Sequence, residues 1–118
     1  SELNVGIGPF VVGPAVERKL GLTGMSQIAI DANSFYPAEW AQSKGLFAQV
    51  YESTDELDAA VKAFAENLCT YNPDAMTEMK KIMWEGTEHW DTLLAERAII
   101  SGRLVLSDFT KETLKRFK

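Results

Sequence analysis

Histidine and cysteine, which often act as acid–base groups, nucleophiles or metal ligands, each occur once in this 118-residue sequence. The single histidine, His89, has no second histidine or cysteine at a metal-ligand spacing, which favours an exposed or core-edge position. Cys69 is the single cysteine, and this excludes an intramolecular disulfide and a cysteine-based zinc site. Nothing in the local spacing of Glu2 distinguishes it from a solvated charge. The isolated residues therefore predict no metal site and single out no catalytic group.

The segment GIGPFVVGP, residues 6–14, has the glycine content of a phosphate-binding loop without its pattern. It lacks G-x-G-x-x-G, and it lacks the lysine and the serine or threonine of a Walker motif. Its glycines and prolines therefore predict backbone turns. Four basic residues could contact phosphates or could equally be solvated helix faces: Arg18, Lys19, Lys80 and Lys81.

The overall charge and composition predict a globular domain that does not bind nucleic acid. The net charge is −5, whereas nucleic-acid affinity depends on neutralising phosphates with lysine and arginine. No apolar run approaches the roughly 20 residues that a membrane span needs, and no leader pattern precedes the first element. We expect one domain in the cytoplasm, with no membrane partner.

The second part of the chain, residues 53–118, has helix signals at regular intervals. The predicted helix-capping residues are Ser53, with Glu56 at capping-box spacing, Asn72 followed by Pro73, Thr87, and Ser107 or Asp108. Side chains predicted to share helix faces are Leu57, Val61, Phe64, Leu68 and Tyr71, then Met76, Met79 and Met83, then Trp90, Leu93, Leu94, Arg97, Ala98 and Leu104. The methionines, with Trp40, Trp84 and Trp90, are interpreted as core or subunit contacts.

The first part, residues 1–52, holds six of the eight glycines and three of the four prolines, and it predicts short elements. These are a strand at Leu3–Val5, a helix at Val11–Leu20 with Pro14 in its first turn, a helix at Met25–Asp31, a helix at Tyr36–Lys44 closed by Gly45, and a strand at Leu46–Tyr51. Isolated strands are unstable, so the sheet to which they belong is expected outside this sequence or in another subunit.

In this order of elements the chain resembles the C-terminal part of the crotonase, or enoyl-CoA hydratase/isomerase, superfamily. Within it, GIGPFVVGP and WEGTEHWDTLLAERA are most similar to bacterial methylglutaconyl-CoA hydratases. Residues in matching places are Ser1, Glu2, Gly6, Pro9, Gly13, Arg18 and Gly21, then Ala38, Ala41, Gly45 and Leu46, then Asp108, Glu112 and Phe117. The sequence departs from the family pattern at Phe10, Pro14, Ala15 and Thr113, and it lacks the family's basic tail.

The resemblance implies a predominantly α-helical chain that is the C-terminal part of an α/β crotonase-like spiral fold. Residues 1–52 would be the end of the crotonase core, and residues 53–118 a C-terminal helical oligomerisation region. The missing N-terminal half of the same protein would supply the sheet, and the assembly would be a homotrimer or hexamer. This chain alone is expected to be inactive.

The resemblance also implies the chemistry. Glu2 would be catalytic and would deliver a proton to the carbon next to a thioester carbonyl, helped by desolvation among Val5, Ile7 and Phe10. Gly8, Pro9 and Phe10 would bind the acyl group. The substrate would be a coenzyme A thioester, with no permanently bound cofactor and no metal. The second glutamate and the oxyanion-hole donors would lie upstream.

Two other interpretations stay open. One is an enoyl-CoA isomerase of the same fold, since some isomerases of the family move a double bond with one glutamate. The other is a non-catalytic helical assembly module, in which Glu2 is incidental.

Overall fold

A computed structural model describes residues 2–117 of the chain, with side chains as far as Arg116. Helices make up 69% of these residues and no strand is found among them, which confirms the predominantly α-helical prediction. Ser1 and the side chain of Phe117, both part of the family pattern, lie outside the described residues. The α-helices are α1 (Gly13–Ile30), α2 (Ala38–Ser43), α3 (Thr54–Leu68), α4 (Pro73–Met83), α5 (Trp90–Val105) and α6 (Asp108–Leu114), with 3₁₀ helices at Glu2–Val5 and Lys115–Phe117.

The described residues form two compact units. The first unit contains residues 2–48 and 90–117, and the second contains residues 49–89. The C-terminal helices α5 and α6 thus belong to the same unit as the glycine-rich beginning of the chain. The division into a core end at residues 1–52 and an oligomerisation region at residues 53–118 concerns the function of each part, and it stays a prediction.

Helix α1 bends sharply at a glycine. Gly21 has φ 68° and ψ 168°, a backbone conformation that is essentially restricted to glycine, so two helical segments meet there. Pro14 lies in the first turn of the first segment, as predicted. The break agrees with the separate helices predicted at Val11–Leu20 and Met25–Asp31.

Both strand predictions are wrong. Leu3–Val5 lies within the 3₁₀ helix Glu2–Val5. Leu46–Tyr51 is irregular, because its first amide is used by the end of α2: the N–H of Leu46 donates to the carbonyl of Ala41 at 2.9 Å. This is the hydrogen bond of a Schellman motif, which satisfies a helix-end carbonyl instead of pairing with a strand.

The same motif explains where α2 ends. Gly45 has φ 81°, and its N–H donates to the carbonyl of Gln42 at 2.9 Å. The predicted closure of this helix by glycine is therefore confirmed. The helix itself, Ala38–Ser43, is shorter than the predicted Tyr36–Lys44, because Pro37 precedes it in an extended conformation.

Local capping predictions are mostly confirmed. The Ser53 side chain accepts a hydrogen bond from the Glu56 N–H at 3.2 Å, and the Asn72 side chain accepts from the N–H groups of Asp74 and Ala75. Ser107 caps α6 in the same way. Thr87 does not cap α5, which begins at Trp90; its hydroxyl donates to the Trp84 carbonyl at 2.7 Å. Thr87 therefore belongs to the preceding turn, in which Gly86 has φ 82°.

Candidate functional site

A pocket of about 300 Å³ lies in the first unit. Its walls come from the first 3₁₀ helix, the following loop and both segments of α1, so the bend at Gly21 shapes it. Seven of its eight lining residues are apolar, and the eighth is a glutamate. They are Glu2, Leu3, Pro9, Val12, Val16, Met25, Ile28 and Ala29. The pocket is half open to solvent and part of its surface is polar, so its lining could accept a short apolar group beside a residue able to exchange a proton.

A tight turn holds the backbone of Glu2. The N–H of Ile7 donates to the Glu2 carbonyl, and the N–H of Gly6 donates to the Leu3 carbonyl, both at 3.1 Å. Gly6 has φ 83°, which favours glycine and reverses the chain after the 3₁₀ helix. The glycine-rich sequence therefore forms backbone turns, as predicted.

The predicted acyl-binding residues follow immediately. Pro9 lines the pocket beside Glu2, and its carbonyl accepts from the Gly13 N–H at 2.8 Å, which joins the loop to the start of α1. Gly8 is buried under the Phe10 ring: a Cβ atom on Gly8 would lie 2.6 Å from the ring carbon Cζ. Two of the four predicted site residues, Glu2 and Pro9, thus line the pocket, and the other two pack against each other.

The side chain of Glu2 is exposed in the described chain. Val5, Ile7 and Phe10, the residues predicted to desolvate its carboxyl group, are each partly buried. These residues alone therefore leave the carboxyl group in contact with water. Any further desolvation must come from a bound ligand or from groups outside the described residues.

Two contacts that the sequence did not predict hold the turn in place. The Asn4 side chain Nδ2 donates to the Ala32 carbonyl and to Asn33 Oδ1, both at 2.9 Å, which ties the 3₁₀ helix to the end of α1. Helix α6 packs against Gly6, and Thr110 of this helix is fully buried. Neither contact has a local sequence signal, since each joins residues far apart in the chain.

No protein-family model, curated protein or solved structure matches this chain. The likeness to the crotonase superfamily therefore rests on the residues quoted from the sequence. What it implies for activity is taken up below as a proposal.

None of the other polar candidates is among the lining residues of the pocket. His89 and Cys69 are exposed, and Lys81 forms an ion pair with Glu78 at 2.7 Å within α4. No group of three histidine, cysteine, aspartate or glutamate residues suited to a metal occurs within residues 2–117. None of the helices described combines the length and the apolar character that crossing a membrane requires. The basic residues Arg18, Lys19 and Lys80 are also exposed.

A hydrogen-bonded pair closes the loop after α1. Tyr36 Oη donates to Asp31 Oδ2 at 2.8 Å, and the Tyr36 ring lies 4.3 Å from the Trp40 ring. The hydrogen bonds from Tyr36 and then Ser34 hold the pKa of Asp31 below its usual value. The same bond to Asp31 raises the pKa of Tyr36. Trp40 thus packs locally rather than lining the pocket.

Replacement of Tyr36 by phenylalanine is expected to raise the pKa of Asp31 towards its ordinary value. Since the native pKa of Asp31 is depressed, its contribution to stability is present above the unfolded-state pKa of about 3.9 and is lost as the pH falls through the native value. The Tyr36→Phe variant should therefore lose part of the acid dependence of its stability. Carboxyl-carbon NMR titration of Asp31 measures the shift, with Tyr51→Phe as the control; equal titration curves in Tyr36→Phe and wild type would contradict it.

Proposed function

We propose that this chain is the C-terminal part of an acyl-CoA hydratase of the crotonase type, in which Glu2 protonates the substrate. The single observation that carries the proposal is the pocket, where Glu2 and Pro9 from the family-like segment meet apolar side chains of α1. Those two residues occupy family positions in the sequence, and both are among the lining residues of the pocket. The proposed compartment is the cytoplasm.

The reaction adds water across the double bond of a conjugated enoyl thioester. A second carboxylate removes a proton from water as its oxygen bonds to the β carbon, and Glu2 gives a proton to the α carbon. Two backbone N–H groups hold the thioester oxygen while it carries negative charge. In this proposal the second carboxylate and these N–H groups come from an N-terminal half of the same protein, and this chain alone is inactive.

The acyl group is proposed to lie against Pro9, with Gly8 and Phe10 supporting that wall. The Phe10 ring stacks on Gly8 and thereby sets the position of the loop. A short acyl group such as crotonyl would suit a pocket of about 300 Å³. The proposed methylglutaconyl group also carries a free carboxylate, which would need a positively charged partner from outside the lining residues. Coenzyme A takes part as the carrier of the substrate, with no resident cofactor.

The test is a hydration assay on the full-length gene product that contains this chain. Crotonyl-CoA and methylglutaconyl-CoA are supplied separately, and loss of the enoyl-thioester absorbance is followed. Hydration of either thioester is expected. Shift of the double bond in a 3-enoyl-CoA without hydration would instead identify an isomerase. No turnover of crotonyl-CoA, methylglutaconyl-CoA or the 3-enoyl-CoA would refute both the hydratase and the isomerase.

A second candidate, a helical assembly module, is favoured by the exposed apolar faces of the second unit. On α3 and α4, apolar side chains at helical spacing are 39% to 64% exposed: Leu57, Val61, Phe64, Met76 and Met79. The predicted methionine stripe, including Met83, is therefore not a core of the described chain. Such faces are typical of association surfaces, and a homotrimer or hexamer is the proposed assembly.

A negative charge on the apolar face of α3 is expected to disrupt the proposed trimer or hexamer. Phe64 is 64% exposed on α3, and Phe64→Glu would place a carboxylate where an apolar contact is proposed. Sedimentation velocity should show a trimer or hexamer for wild type and monomers for Phe64→Glu. Ala59→Glu, which adds the same charge to the opposite face of α3, serves as the control. A monomeric wild type, or an unchanged assembly in Phe64→Glu, would contradict the prediction.

A further inference from the structure

Arg97 reaches the loop that carries the proposed acyl-binding residues. It lies on α5, 87 positions from Phe10 in sequence, and its Nη1 donates to the Phe10 carbonyl at 3.4 Å in a partly buried setting. The sequence places Arg97 on the apolar stripe of α5, where its methylene stem can pack while its charged end bonds to the loop.

Gly13, at the start of α1, lies close to this contact. A Cβ atom on Gly13 would lie 3.6 Å from Arg97 Nη1 and 3.5 Å from the Cε of Met25, and Gly13 is buried. The guanidinium therefore passes close to the start of α1.

We infer that Arg97 is a positioning residue, which holds the Gly8–Phe10 loop and through it the proposed catalytic site. The loop has local hydrogen bonds, from the Phe10 N–H to the Gly8 carbonyl at 2.7 Å and from the Gly13 N–H to the Pro9 carbonyl at 2.8 Å. Arg97 adds a tether from a distant helix. The inference rests on the proposed function, because the loop matters for catalysis only if the pocket binds the acyl group.

Arginine suits this task for two reasons. Its guanidinium stays charged at all physiological pH values and keeps its attraction to the carbonyl oxygen, although the 3.4 Å distance makes this a long and weak hydrogen bond. Its length also spans the gap between α5 and the loop. Small displacements of reacting groups are costly, since catalysis depends on near-attack geometry. Loss of the tether should therefore affect turnover more than binding of the coenzyme A portion.

Hydrogen exchange measures the tether directly in the full-length protein. In Arg97→Met, the amides of residues 6–13 other than Pro9 should exchange about threefold faster, as expected for loss of one long hydrogen bond. Arg97→Lys should restore part of the protection. Arg103→Met, which changes an exposed arginine on the same helix, should leave the loop unchanged. Unchanged exchange in both Arg97 variants would overturn the inference.

Kinetics of the full-length protein test the catalytic consequence. We expect Arg97→Met to lower kcat at least about tenfold with KM within about twofold, and Arg97→Lys to recover part of the loss. Faster loop exchange with unchanged kcat would overturn the positioning role. If the wild type hydrates no thioester, the proposed function fails, whereas the exchange measurement still decides whether Arg97 holds the loop. Should Arg97→Met fail to fold, Arg97→Lys is measured in its place.

Discussion

Replacement of Glu2 by glutamine is expected to lower kcat/KM for hydration about 10²–10⁴-fold in the full-length protein, the usual contribution of a positioned proton donor. Glutamine has almost the same shape as glutamate but cannot give a proton to carbon. Since the pocket walls are otherwise apolar, no neighbouring lining residue can replace it. Steady-state kinetics with crotonyl-CoA measure the effect.

The substitution Glu17→Gln is the control, because it removes the same negative charge as Glu2→Gln from a position outside the pocket. Glu17 lies on the same helix as several lining residues, is exposed and does not line the pocket, so Glu17→Gln should keep wild-type kinetics. KM should change little in Glu2→Gln, because the carboxyl group acts on the reacting carbon rather than on the coenzyme A portion. Equal activity of Glu2→Gln and Glu17→Gln would remove Glu2 from the mechanism.

The second large effect is on stability. We expect Gly6→Ala to reduce the free energy of unfolding by about 3 kcal/mol or more, because strain and overpacking add. The φ of Gly6 is 83°, and a Cβ atom there would lie 2.6 Å from both Phe109 Cδ1 and Thr110 Oγ1. The turn that bears Glu2 would have to move away from α6. Urea denaturation measures the loss.

Two other glycines provide the controls. Gly21 has φ 68°, and a Cβ atom there would have no neighbour within 4 Å, so Gly21→Ala should cost only the backbone strain, about 1–3 kcal/mol. Gly102 lies within α5 and also has open space, so Gly102→Ala should stabilise by up to about 1 kcal/mol. A Gly6→Ala variant no less stable than Gly21→Ala would contradict the packing of α6 on the turn.

Features set by neighbouring residues are predictable from the sequence. The caps at Ser53, Asn72 and Ser107 use a side chain and an amide two or three residues away. A glycine that ends a helix acts through its own φ angle, and Gly45 is recognisable for that reason. The strand prediction at Leu46–Tyr51 is wrong because alternating residue types also fit an irregular segment, and the alternation carries no sign of the Schellman hydrogen bond at its start.

The pocket depends on contacts between residues far apart. Glu2 and Pro9 are predicted through the resemblance, whereas Met25, Ile28 and Ala29 join them only because α1 bends back at Gly21. Periodicity assigns such residues to a helix and does not say which surface the helix faces. Distant hydrogen bonds, from Asn4 to Ala32 and from Arg97 to Phe10, have no sequence signature either.

Hydration of crotonyl-CoA in D₂O tests the central claim most directly. If Glu2 protonates the α carbon, the full-length wild-type protein incorporates one deuterium at that carbon, and Glu2→Gln does so at least about 100-fold more slowly. Mass spectrometry and proton NMR of the product measure the rate and the position. Deuterium incorporation by Glu2→Gln at the wild-type rate would contradict the account.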